Sequence, residues 1–249
     1  MITLKSRDEI LKMRKAGAIA ARVLIELGAM IRPGVSTLEL DKAAERIITC
    51  SGAKPSFKGY NGFPKSICAS INSEVVHGIP SRRIRLAEGD IVSIDVGVCL
   101  EGWHADIADT FAVGRISGED AKLVLAAKKS FQEGLKYARE GMRMGDISAA
   151  IEAAAAREGC TVVRELVGHG IGRTLHEEPN VPNFGNAGRG IRLKEGMTLA
   201  IEPMLSAGKC EVKVQGDGWT VVVADGSKSS HYEHTVAITD GEPEILTLP

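Results

Sequence analysis

Residues 91–106 read IVSIDVGVCLEGWHAD, and how this stretch folds back on itself decides the architecture. The Val- and Ile-rich run 91–100 reads as a strand. Glu101-Gly102 reads as a two-residue hairpin turn, which pairs Leu100 with Trp103 and Gly97 with Asp106. Side chains alternate along a strand, so Asp95 and Gly97 share a face. Asp95 and Asp106 then lie diagonally on that face, within side-chain reach. A carboxylate in an apolar strand is costly to bury unless it is paired or coordinates a metal. The plainer alternative is two solvated acids on an edge strand.

The approach to Asp95 recurs further along. Residues 86–95, LAEGDIVSID, line up with residues 193–202, LKEGMTLAIE, at an offset of 107. The same offset places Gly34 on Gly141, Glu45 on Glu152 and Gly52 on Gly159. A helix start, a helix end and a strand at one spacing point to two related halves, about 1–115 and 116–249. An acid faces an acid in this alignment, Asp95 against Glu202.

The helices follow the same plan. Ser6 and Glu9 form a capping box that opens a helix to about Met30, stopped by Pro33-Gly34. A second box at Ser36 and Glu39 opens a helix ending at Gly52. Ser117 to Asp120 opens a third, closed near Gly141, and Asp146 caps a fourth, closed at Gly159. Strands are expected at 66–72, 90–100, 103–113, 161–165, 197–206, 218–224 and 231–239. This order argues for α/β or α+β layering rather than strict βαβ alternation.

Composition narrows the class. The 249 residues suffice for one large core or two small ones. Lys plus Arg number 31 and Asp plus Glu 32, a net charge of −1, which argues against a nucleic-acid coat or a membrane-surface protein. The start, MITLKSRDEILKMRKAG, lacks the apolar core of a signal peptide. No apolar run approaches the ~18 residues that span a membrane. Five scattered cysteines (Cys50, Cys68, Cys99, Cys160, Cys210) form no CxxC pair, so neither a disulfide framework nor a zinc knuckle is indicated. A reducing cytoplasm is the expected compartment.

Two more acids enter apolar β-structure: Glu202 in LAIEPM and Glu233 in HYEHTV. Four carboxylates crowded on one face repel unless neutralised, and two divalent cations match their formal charge. Among six histidines, His169 lies in the glycine-rich GHGIG, where backbone can approach a ligand closely. His176 lies in LHEEP and His77 in VVHGIP. His104, His231 and His234 read as hydrogen-bonded structural histidines. Phe57, Tyr60 and Phe63 are three of only ten aromatic residues, and by themselves read as a hydrophobic cluster over a loop.

VVHGIP, the IDVG…D pair of Asp95 and Asp106, GHGIGRTLHEEP, IEPM and YEHT occur in the order seen in type I methionine aminopeptidases. The resemblance covers essentially the whole chain, from KSRDEILKMRKAG to EILTL. It implies the pita-bread fold: one catalytic domain over 1–249, two pseudo-symmetric halves, central antiparallel β-structure and outer helices. It implies Asp95, Asp106, His169, Glu202 and Glu233 as ligands of two divalent ions, drawn from Co, Mn, Fe and Zn. These ions would activate water and polarise the scissile carbonyl. Glu202 would shuttle the proton, His176 would hydrogen-bond the carbonyl oxygen, and His77 would contact the scissile amide or the substrate backbone. Tyr60, Phe63, Cys68 and Trp219, with His77 at the edge, would surround the methionine side chain, whose thioether suits aromatic edges.

The implied activity is removal of N-terminal methionine from peptides and nascent chains, favouring a small second residue. It would run in a monomer near the ribosome, with neither DNA nor membrane as partner. Three positions depart from the family pattern. Leu175 stands where Phe is common, Ile107 where a small or hydroxylated residue is usual, and Asp109 where Arg is common. Two rivals are a proline-directed pita-bread peptidase and a non-catalytic peptide-binding relative. The first usually carries an added N-terminal domain, for which this chain leaves no room; the second should have replaced ligands, and here all five are present.

Overall fold

The computed structural model describes residues 2–249. Four helices lie outside: α1 (Arg7–Met30), α2 (Thr37–Cys50), α3 (Gly118–Leu135) and α4 (Met144–Arg157). The strands of the first half are β1 (Lys54–Pro55), β2 (Cys68–Ile71), β3 (Glu74–Val76), β4 (Ile91–Leu100) and β5 (Trp103–Ala112). Next come β6 (Thr161–Val162), β7 (Gly168–Gly170), β8 (Glu177–Val181), β9 (Thr198–Ile201) and β10 (Met204–Ser206). β11 (Val212–Val214), β12 (Val221–Val223), β13 (Ser229–His231), β14 (Glu233–Ala237) and β15 (Glu244–Ile245) complete the set.

The main sheet runs β1-β4-β5-β14-β9-β7-β8, with β2 added to β4 and β15 to β14. Its pairings are all antiparallel. Glu101 (φ 52°) and Gly102 (φ 78°) make the turn between β4 and β5, the left-handed pair that matches strand twist. Leu100 pairs with Trp103 and Gly97 with Asp106, as the hairpin reading requires. Even-numbered Val92, Ile94, Val96 and Val98 of β4 pack with α1 and α2 in one hydrophobic core. Leu199, Ile201 and Val236 of β9 and β14 pack with α3 and α4 in a second. The opposite face of each of these strands is left for the site.

The 107-residue repeat is visible in backbone detail. Gly34 and Gly141 have φ of 89° and 86°, Gly89 and Gly196 of 88° and 87°. The isolated bridge Ser36↔Arg85 has its counterpart in Arg143↔Arg192.

Some boundaries move. α3 stops at Leu135, not near Gly141, ending in tight turns that send Tyr137 N–H to the Gly134 carbonyl and Ala138 N–H to that of Leu135. α4 starts at Met144, and Asp146 sits inside its first turn, accepting the Arg143 N–H at 2.8 Å. The strand expected over 197–206 breaks at Glu202-Pro203 into β9 and β10, because Pro203 has no N–H for the ladder. The strand expected over 231–239 divides into β13 and β14 at Tyr232. Among the described residues no helix is long and apolar enough to cross a membrane, and all five cysteines are free.

Candidate functional site

Strand register alone collects the acids. Asp95 on β4 pairs with Ala108 on β5, and Ala108 pairs with Glu233 on β14. Asp106 lies two residues before Ala108 and so shares its face. Thr235, two residues beyond Glu233, pairs with Ala200, and Ala200 pairs with His169. Glu202 follows Ala200 by two. Asp95, Asp106, His169, Glu202 and Glu233 therefore stand on one face, separated by Ala108 and Ala200, whose small size leaves room between them. Pro203 ends the pairing where Glu202 must turn inward, and Asn183 donates to the Glu202 carbonyl at 2.9 Å.

These residues floor a cavity of about 240 Å³. Its walls include Tyr60, Phe63, Cys68, His77, Leu175, His176 and Trp219, so every sequence-nominated site residue lies in one place. Phe63 and Trp219 meet edge to face at 5.2 Å, and His77 lies 6.3 Å from the Trp219 ring. The His176 ring is 4.2 Å from that of His169, and its Nδ1 is 2.9 Å from the Tyr60 hydroxyl. His77 has a positive φ of 61°, rare for a residue with a side chain and characteristic of functional sites. The following residue must be small: a Cβ on Gly78 would stand 2.4 Å from the Ala69 carbonyl oxygen.

Two of the departures leave the site untouched. Ile107 alternates away from it into the α1–α2 core. Asp109 also alternates away from the site and binds Lys128 of α3 at 2.7 Å. Leu175 is 2% exposed and lines the cavity. His231, read as a hydrogen-bonded structural histidine, also lines the cavity and has no hydrogen-bond partner at either ring nitrogen. Its alternation with Glu233 on an extended segment was the available signal. His104 and His234 keep structural partners, Ser56 for the first and Thr247 and Tyr232 for the second.

Crowding and burial leave these acids to be neutralised either by protons or by a cation. Burial, with Asp106 and Glu202 close by, raises Asp95 well above the carboxylate range. Burial raises Asp106 to about 7, and burial with neighbouring carboxylates raises Glu202 and Glu233. Burial lowers His169 to about 3 and lowers both His77 and His176, which keeps the rings neutral and their lone pairs available. Asp95 Oδ1 and Glu233 Oε1 are buried without a protein partner. Two donor groups form within the cluster, each with its atoms within 4.8 Å of one another: Asp95, His231 and Glu233, and Asp106, His169 and Glu233. Oxygen donors with imidazole suit a divalent transition metal, so the residues present fit one.

This has a consequence for the metal-stripped protein. Above about pH 7.5 its histidines are almost wholly neutral both folded and unfolded, whereas the unfolded acids are ionised and burial holds the folded acids of the cluster well above the usual carboxylate range. A state that holds extra protons loses stability as pH rises. The melting temperature in chelator should therefore fall from about pH 7.5 to about pH 8.5, and added divalent metal should abolish the fall. A melting temperature that is flat or rising in chelator would show that the acids are not crowded as described.

Comparison with known proteins places the chain in a family. A model of metallopeptidase family M24 matches residues 11–240. The chain is 54% identical to a methionine aminopeptidase of Clostridium perfringens over 100% of its own length and 99% of that protein's. It is 52% identical to methionine aminopeptidase 1 of Bacillus subtilis over 99% of each chain. The crystal structure of a Thermotoga maritima methionine aminopeptidase superposes with a TM-score of 0.98, at 43% identity and complete coverage of both chains. A Pyrococcus furiosus prolidase, 23% identical, shares the fold at a TM-score of 0.78, with 65% of its length covered. The architecture is the pita-bread fold expected from the sequence, and the chain belongs to metallopeptidase family M24, among its methionine aminopeptidases.

Proposed function

We propose that the chain removes N-terminal methionine from peptides and nascent proteins, favouring a small second residue. The observation that carries this reading is the convergence of four acids and His169 on the floor of a cavity whose wall is apolar and aromatic. Asp95, Asp106, His169, Glu202 and Glu233 would hold two divalent ions (Co, Mn, Fe or Zn). When bound, these ions supply positive charge that activates the attacking water and polarises the scissile carbonyl.

The side chains do the rest. Glu202, facing the cavity, accepts the proton of the attacking water on a carboxylate oxygen and passes it to the leaving amine. The Tyr60 hydroxyl lies 2.9 Å from His176 Nδ1; with the hydroxyl as donor, the ring proton sits on Nε2, where it meets the carbonyl oxygen as charge develops there. His77 contacts the scissile amide or the substrate backbone. Tyr60, Phe63, Cys68 and Trp219 take the methionine side chain. The acid-rich floor suits the free α-amino group, which makes the enzyme an exopeptidase. The resemblance extends the reading to a monomer acting in the cytoplasm on chains at the ribosome, with the whole chain as one catalytic unit.

Turnover of Met-Ala-Ser against Xaa-Pro dipeptides and N-acetylated Met-Ala-Ser tests this. Cleavage of the free tripeptide alone is expected; faster cleavage of Xaa-Pro substrates would favour the proline-directed reading instead. Leu175 makes the wall smaller than a Phe would. Side chains bulkier than methionine should be tolerated at the first position, and Leu175→Phe should narrow that tolerance. Met- and norleucine-headed peptides compared on both proteins, with a bulkier analogue, check it; identical profiles would remove the idea.

A further inference from the structure

We propose that His231 is a sixth protein donor to the metal centre, giving each of its two donor groups one imidazole. This rests on the metallopeptidase reading of the same cavity. His231 ends β13, and Glu233 begins β14 two residues later. Residues two apart on an extended chain point the same way, so the side chain that follows Glu233's direction is the imidazole. The Thr110 hydroxyl holds the His231 backbone on both sides, accepting its N–H at 3.0 Å and donating to its carbonyl at 2.8 Å. The residue is 2% exposed.

The distances separate ligation from hydrogen bonding. His231 Nε2 stands 3.6 Å from Glu202 Oε2 and 3.7 Å from Glu233 Oε2. Both are too long for an N–H···O bond. They match two donors that share one ion, which at ~2.1 Å bonds and tetrahedral to trigonal angles stand ~3.4–3.7 Å apart. His169 Nε2 stands at the same 3.6 Å from the other oxygen, Glu202 Oε1. The two imidazoles thus flank one carboxylate. One groups with Asp95 and Glu233, the other with Asp106 and Glu233. Neither ring nitrogen of His231 has a protein partner, and a buried imidazole facing two carboxylate oxygens without a hydrogen bond is accounted for by a cation between them. An imidazole among otherwise carboxylate donors should also shift the preference of the ion beside His231 from Mn towards Co, Fe or Zn.

Cobalt-loaded protein offers a readout independent of turnover. Each histidine bound to high-spin Co(II) contributes a strongly shifted, solvent-exchangeable ring N–H signal in the proton NMR spectrum. With two equivalents of Co(II), two such signals are expected in the parent protein. One is expected in His231→Gln, the other in His169→Ala. Calorimetric titration with Co(II) should show one of the two affinities falling at least ~10-fold in His231→Gln. Far-UV circular dichroism confirms folding, and His231→Asn serves if the glutamine variant does not fold. If His231→Gln keeps both shifted signals and both affinities, the proposal is overturned. If the parent protein binds no Co(II), the metallopeptidase reading itself fails, and this inference with it.

Discussion

Replacing Glu202 by Gln is expected to lower kcat by about 10²–10⁴-fold. Glu202 lies outside the ladder, in the break between β9 and β10, where Pro203 ends the β9 pairing. Its carboxylate stands between two imidazoles at 3.6 Å on either side. On the proposed mechanism that position would let it both face the metal centre and take the proton of the attacking water. Glutamine keeps the shape and one oxygen donor but cannot accept the proton. Metal content measured alongside kcat separates the two duties. Turnover near the parent value by a metal-loaded Glu202→Gln protein would reject the proton-transfer role.

His176→Ala should lower kcat by about 10²–10³-fold, the usual effect of losing one donor to a developing oxyanion. Metal content should stay near that of the parent. The His176 ring touches that of His169, so loss of metal would instead mark it as a ligand. Tyr60→Phe removes the hydroxyl at His176 Nδ1 and should give a smaller loss of the same kind, in kcat more than in KM. An unchanged kcat in both variants would leave the carbonyl oxygen without its proposed partner.

The β4–β5 hairpin was legible because Glu101-Gly102 is a local signal, and its register then fixed the face of both aspartates. The halves were legible because helix caps and strand approaches recur at one spacing. β1, β3, β7, β8, β11 and β15 were missed. Each has only two to five residues, too few to carry a strand periodicity, and β1, β3 and β7 also pair with strands distant in sequence. Glu202 and Glu233 were recognisable as acids ending apolar strands, but only β14, lying between β5 and β9, brings the two halves' acids together. His231 was passed over because a lone histidine more often has a hydrogen-bonded structural role. Tyr232 and His234 do pack around Phe131, whereas His231 lines the cavity. Ile107 and Asp109 depart from the family pattern without consequence for the site, since strand alternation carries them to the helical face.

The most direct test is Met-Ala-Ser hydrolysis by protein stripped of metal and then reloaded with Co, Mn, Fe or Zn, one at a time. The account predicts no release of methionine from the stripped protein and restored release with at least one of these ions, in a manner that requires Asp95, Asp106, His169, Glu202 and Glu233. Undiminished release of methionine by the metal-free protein, or none with any ion, would contradict it.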